Sequence, residues 1–362
     1  MEQVVPEKAK ISPFLVFFLV HTMQVGVGVL GFQRIIALTA GYDAWISIII
    51  AGLSIHIILW MIYKIAETVD GDIVSAHTFV FGKKLGKLLS LPFVLYFSLL
   101  AVTLLRTFIE VIQVWMFQDL SPFWFSLAFC GLGIYIVFGG FRTVTGVGFF
   151  GVVLPAYLSF TFLFTIPYAD FRNLLPIFDH SIKDLLLAAY QMSFTYLGYE
   201  ILLFIYPFIK EPKKSKKWAH LGVLYTTLLY TLLSIITFAY FSEVQLQKNI
   251  WSTLTMWKIV EMPFVERFEY IGIANWNIVI LPNFCIAIWC GSRILKRVTN
   301  LKQKKGAIII CLVILIAINI FNTREVINTL TTYTGRIAFF INYGYIPLLF
   351  FLVLLVKKVK QK

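Results

Sequence analysis

Residues Gly26-Val27-Gly28-Val29-Leu30-Gly31 carry the spacing of a phosphate-cradling glycine loop. Their context excludes that chemistry. The hexapeptide lies inside an apolar run, without the strand, turn and helix and the following acid that a dinucleotide site requires. Glycines in such a run weaken a helix, and backbone unwound within a membrane frees N–H and C=O groups that must be satisfied there. A second interruption, Thr195-Tyr196-Leu197-Gly198-Tyr199-Glu200, falls inside another apolar run. Freed N–H groups at a half-helix amino end suit a carboxylate, while freed carbonyls suit an ammonium. A small zwitterion such as an amino acid satisfies both. Gly26, Gly28, Gly31, Thr195 and Gly198 are therefore expected ligand contacts. The alternative for the three early glycines is close helix packing alone. Matching interruptions in two halves of a membrane chain favour the site.

Charges inside apolar runs cost several kcal/mol unless paired. Arg106 and Glu110 are four apart, share a helix face and can pair. They would sit above the expected site, either as part of an outer gate with Arg34 or as a static pair between helices. Glu200 follows the second interruption and has no cation near it in sequence. Either it carries a proton or it faces a water-filled path, and a plain helix-to-helix hydrogen bond is the alternative.

The elements that must position these residues are membrane spans. The chain is 59% hydrophobic and 14% charged, with a mean hydropathy of +0.84, more apolar surface than a soluble core of this length can bury. A span takes about 20 apolar residues. Ten segments qualify or nearly so: Pro13–Phe32, Ala44–Tyr63, Leu88–Met116, Phe123–Phe138, Val144–Tyr168, Leu185–Ile209, Trp218–Phe241, Ile271–Trp289, Gly306–Phe321 and Ile337–Val356. The first run has no small-residue cleavage site after it and reads as a span, not a removed signal. The expected architecture is an all-α integral membrane domain over residues 1–362, with five-helix repeats at roughly 13–168 and 185–356.

With the amino terminus inside, 22 of the 31 basic residues fall on inner loops and termini, from Lys8 to Lys362. That asymmetry follows the positive-inside rule and puts both ends in the cytoplasm. It accounts for the basic balance without nucleic acid, for which no basic face of a soluble domain is available. The longest outer connection is Ser242–Tyr270, and its middle, Leu254 to Phe268, mixes Trp257, Ile259, Val260 and Phe264 with Lys258, Glu261 and Glu266, as short amphipathic surface helices capping a bundle would. Cys130, Cys285, Cys290 and Cys311 all lie in apolar runs, which suits buried thiols. The five histidines show no ligand spacing, so no metal or cofactor is expected. No nucleophile–base pair stands out, and an enzyme is a distant reading.

The glycine cluster is similar to the first-span signature of the amino acid–polyamine–organocation superfamily. More narrowly, the chain resembles the B subunits of bacterial spore germinant receptors. The match rests on Arg106-Thr107-Phe108-Ile109-Glu110, Asn173-Leu174-Leu175-Pro176, Leu197-Gly198-Tyr199-Glu200 leading to Pro207-Phe208-Ile209, the basic Lys210–Lys217 loop and Glu266-Arg267-Phe268-Glu269. One departure is Phe32-Gln33-Arg34, where superfamily members often carry a proline, so the outer half of the first span is expected to differ in shape. The resemblance implies a LeuT-like fold, five helices repeated upside down with helices one and six broken. It implies a nutrient-sensing subunit in the inner membrane of a spore, with a membrane A subunit and a lipoprotein C subunit as partners. A small germinant such as an amino acid would be the ligand, and by analogy the third, sixth and eighth helices would line its site, with Val102, Phe194 and Asn283 as candidate walls. The competing reading is a proton-coupled amino acid transporter of the same superfamily. Some such relatives place a lysine in the fifth span, and Val144–Tyr168 has none.

Overall fold

The computed structural model describes residues 5–261, 263, 265–299 and 301–361. Phe264 and Lys362, both named above, lie outside them. The described residues are almost entirely helical, with one isolated parallel bridge between Ile11 and Ile209. Seven helical runs are long and apolar enough to cross a membrane, and Leu15–Gln24, Pro122–Phe138 and Tyr199–Phe208 are shorter apolar helices. Side chains such as Leu95, Tyr135 and Ile182 turn outward from the bundle. That is the inverted surface a lipid solvent allows.

The first helical run is divided. Helix α1 spans Leu15–Gln24, the chain then passes through Val25 and Gly26 into a 3-10 turn over Val27–Leu30, and α2 runs from Phe32 to Ala40. Next come α3 (Ala44–Val69) and two short helices, α4 (Ile73–Phe81) and α5 (Lys83–Ser90). The expected third span thus begins later, as α6 (Pro92–Trp115), because Pro92 opens a new helix where its missing N–H costs nothing. Pro122 does the same for α7 (Pro122–Phe138). The fifth segment is α-helical only over α8 (Phe141–Val153). Beyond Pro155 it tightens into a 3-10 helix to Tyr168, a length at which that geometry is uncommon.

Helix α9 (Ile182–Ser193) starts on a capping box, Ser181 with Asp184, and stops before the second interruption. Short turns over Tyr199–Ile201, α10 (Leu202–Ile205) and Tyr206–Phe208 follow. Then come α11 (Pro212–Tyr240) and two short helices, α12 (Glu243–Lys248) and α13 (Ser252–Trp257). These helices lie largely ahead of the expected stretch, Leu254 to Phe268, and Trp257 at the end of the second is wholly buried. Asp170 and Arg172 pair with each other, and the guanidinium hydrogen bond holds the Asp170 carboxyl down at about 2.

Helix α14 (Phe268–Thr299) is the central post, packed against α6, α7, α8 and α15 (Gln303–Ile320). The last run begins at Arg324, well before the expected Ile337. Helix α16 (Arg324–Phe339) passes through a π-helical turn, Phe340–Tyr345, into α17 (Ile346–Lys360). Side chains from that turn reach three separate elements. Asn342 Nδ2 lies 3.5 Å from Glu200, the Tyr343 hydroxyl 2.7 Å from that of Ser54 on α3, and the Tyr345 hydroxyl 2.6 Å from His77 on α4.

Candidate functional site

A cavity of about 740 Å³ opens where the two interrupted runs meet. Its inner part is bounded by Gln24, Gly26, Gly28, Thr195, Gly198 and Asn283. Its outer part is bounded by Arg34, Glu110, Arg324 and the loop residues Ile250 and Trp251. Helices α6 and α16 form the long walls, through Ala101, Leu104 and Thr107 on one and Asn328, Thr331 and Gly335 on the other.

The glycines allow close approach of separate segments. A Cβ on Gly28 would stand 3.1 Å from Thr195 Cγ2, and one on Gly26 would stand 3.4 Å from Asn283 Nδ2. At Gly31 it would collide with the carbonyl oxygen of Ile250, so the capping loop rests directly on the first interruption. Gly198 has φ +114°, and its missing side chain faces the Met23 backbone, whose oxygen lies 2.8 Å from the position of a Cβ. Only glycine meets both conditions without strain.

Side chains take up part of the backbone that the interruptions free. Asn283 Nδ2 donates to Val25 O at 3.0 Å, and the Tyr230 hydroxyl donates to Gln24 O at 2.6 Å. The Thr253 hydroxyl donates to Val29 O at 2.9 Å. Phe194 lies on the cavity wall, its ring occupying the space that a side chain at Gly335 would fill.

Two expectations are corrected. Val102 is 3% exposed and belongs to the packed core. Its neighbours Ala101, Leu104 and Thr107 face the cavity, because a helix turns about 100° per residue. Arg106 and Glu110 share a face but do not pair with each other. Arg106 Nε donates to Phe321 O at 2.6 Å, whereas the Glu110 carboxylate meets Arg324 at 2.6 Å. Arg34 reaches the capping loop, donating to Gln247 O at 2.6 Å. The Arg324 guanidinium also lies over the Trp251 ring, 5.6 Å from its centroid. Glu200 lies outside the cavity lining. It is fully buried behind the second interruption, accepting from the Tyr96 hydroxyl at 2.5 Å, Gly198 N at 2.9 Å and Asn342 Nδ2.

Sequence reasoning missed Gln24, Arg324 and the polar face of α16. The signal for the last was present. Asn328, Thr331, Thr334 and Gly335 recur at helical spacing just before the final apolar run.

A membrane bundle of helices around a central solute-sized cavity, closed on one side by a surface loop, defines a receptor or carrier for a small molecule. The model of the family described as "Spore germination protein" matches residues 10–327, and the chain belongs to that family. It is 46% identical over 345 residues to spore germination protein GerQB of Bacillus cereus, covering 95% of this chain and 96% of that one. It is 24% identical to spore germination protein A2 of Bacillus subtilis, with 98% of each covered. The fold resembles that of LeuT-type transporters. A solved Na+-coupled sialic acid symporter in a substrate-bound outward-open state superimposes with a TM-score of 0.65 at 11% identity, covering 98% of this chain and 79% of that one. MhsT in complex with L-phenylalanine superimposes at 0.62 and 14% identity, covering 94% and 87%.

Proposed function

We propose that this chain is the nutrient-sensing subunit of a spore germinant receptor, binding a small germinant, most simply an amino acid, in the cavity at the two interruptions. The observation that carries the reading is the meeting of Gly26 and Gly28 with Thr195 and Gly198 at one solute-sized space. Backbone N–H groups beyond the first interruption would hold the carboxylate. Glu110 and Arg324 would form an outer latch over the bound ligand, with Arg34 and Trp251 beside it. In this reading the chain has ten spans in two inverted five-helix repeats, 13–168 and 185–356, with the first and sixth spans broken. It lies in the spore inner membrane with both ends on the core side. Its partners are a larger membrane A subunit and a lipoprotein C subunit, a reading supported by relatives named as lettered and numbered spore germination proteins.

A sensor needs only that its ligand stabilise one conformation over another, not net transport. The competing reading, a proton-coupled amino acid carrier, is favoured by the likeness to solved symporters. The two separate in vesicles holding the purified chain, a proton gradient and labelled amino acids. Saturable binding with little accumulation is the expected result. Robust gradient-driven uptake would replace the sensor with the carrier.

The orientation is tested independently. The four native cysteines are buried, which leaves a quiet background for labelling. Cysteines introduced near Lys214 and Gln303 are expected to react only from the cytoplasmic side, and one near Asp179 only from outside. Reaction of all three from one side would overturn the ten-span arrangement.

A further inference from the structure

We infer that Gln24 is the acceptor for the ligand's ammonium group, and so the residue that makes the site demand an α-amino group. The inference rests on the cavity reading above and adds to it a residue and a requirement. Gln24 ends α1 beside the cavity and is 1% exposed, so a ligand meets its Oε1 once the lining shifts slightly to open it. Its Nε2 donates to Tyr196 O at 3.4 Å, within the second interruption. That acceptor can be met only by the amide nitrogen, which fixes the orientation of the side chain. Oε1 is thereby left buried, with no protein donor. A buried acceptor without a donor is unfavourable, and an ammonium supplies up to three donors.

Among the described residues, three cavity-lining side chains carry a buried oxygen without a protein partner: Gln24, Thr107 and Glu110. Geometry chooses between them. An α-amino acid bears its ammonium and carboxylate on one carbon, so acceptor and N–H donors must be adjacent. Glu110 is held at the outer end by Arg324, and Thr107 lies less than one turn before it on α6. Gln24 precedes Gly26 by two residues, next to the N–H groups of the first interruption. Its amide also joins both interruptions. A cation at Oε1 polarises the amide and strengthens donation by Nε2 to Tyr196, since linked hydrogen bonds reinforce one another. Occupancy at the first interruption is thus transmitted to the second through one side chain.

The test uses the full-length chain in nanodiscs. The probes are the twenty common L-amino acids and, for the tightest binder, the 2-hydroxy acid with the same side chain, which keeps the carboxylate and replaces the ammonium by a hydroxyl. Wild type is expected to prefer the amino acid. Gln24→Leu is expected to weaken amino acid binding by about 10- to 100-fold, the range for a hydrogen bond to a charged group, and to weaken the hydroxy acid, whose hydroxyl donates one neutral hydrogen bond, by about 10-fold at most. Gln24→Glu, which keeps an acceptor and adds charge, is expected to widen the preference, and it provides the readout should the leucine variant fail to fold. Unchanged discrimination in folded Gln24→Leu, or in Gln24→Glu, overturns the assignment while leaving the cavity reading standing. A wild-type chain that binds none of the twenty amino acids overturns the cavity reading and the assignment with it.

Discussion

Replacing Gly28 by valine is expected to abolish the ligand response while leaving the amount of protein in the membrane near normal. A Cβ at this position already stands 3.1 Å from Thr195 Cγ2. The two γ-methyls of valine must then enter the cavity where the ligand carboxylate is to sit. Overpacking of this kind costs about 1–3 kcal/mol of stability, which a large membrane bundle withstands. The binding loss is larger in consequence, with apparent affinity lowered by about 100-fold or more, equivalent to about 2.8 kcal/mol. Dose–response curves for germination, taken beside quantitative immunoblots of the membrane fraction, measure both quantities. Gly28→Ala should be milder, and Thr195→Ser should relieve it by removing the crowding methyl. A valine variant that responds with unchanged ligand dependence would move the site elsewhere and reduce the glycines to packing.

The second large effect is expected at Glu200. Its carboxyl is the common acceptor for Tyr96 on α6, for the N–H of Gly198 and for Asn342 in the π-helical turn. Glu200→Leu would strand these donors in a dry interior, at about 1–3 kcal/mol for each group left unsatisfied. Loss of response and a lowered melting temperature in detergent should follow together. Glu200→Gln keeps the shape and an acceptor, and its NH₂ group can donate to the Tyr96 oxygen, so near-normal stability and response are expected. Equal losses in the two variants would show that ionisation of this residue matters, and would favour a proton or cation role.

How far the sequence speaks for this site depends on the range of the interaction. The interruptions were legible because glycine clusters and a mid-run Thr-Tyr-Leu-Gly-Tyr-Glu segment are local departures from an apolar pattern. The Ser242–Tyr270 connection was legible as mixed apolar and charged, but its helices lie at Glu243–Lys248 and Ser252–Trp257, largely ahead of the Leu254–Phe268 stretch whose composition suggested them. The partner of Glu110 was not. Arg324 lies far along the chain, and the helical spacing of Arg106 and Glu110 offered a nearer pairing, but the fold instead directs Arg106 to the carbonyl of Phe321. Cavity walls were obscured by their own chemistry. A helix face that lines a polar space in a membrane is less apolar than a lipid-facing one, so hydropathy placed the last span too late and cut off Asn328, Thr331 and Thr334. Val102 was lost to a smaller error, one residue of helical phase.

The last helical run, Arg324–Lys360, holds 37 residues, which at 1.5 Å each make a rod of about 55 Å, well beyond the roughly 30 Å of hydrocarbon. Such a rod projects past the lipid or leans steeply within it. Its π-helical turn, Phe340–Tyr345, acts as a phase shifter along that length. It changes the angular register between the upper threonines, which face the cavity, and the lower Tyr345, which touches His77. Two surfaces are therefore presented by one shaft without sharing a common helical stripe. A rotation of the shaft at its cavity end would be delivered to α4 at a different bearing, much as an offset crank redirects a turn.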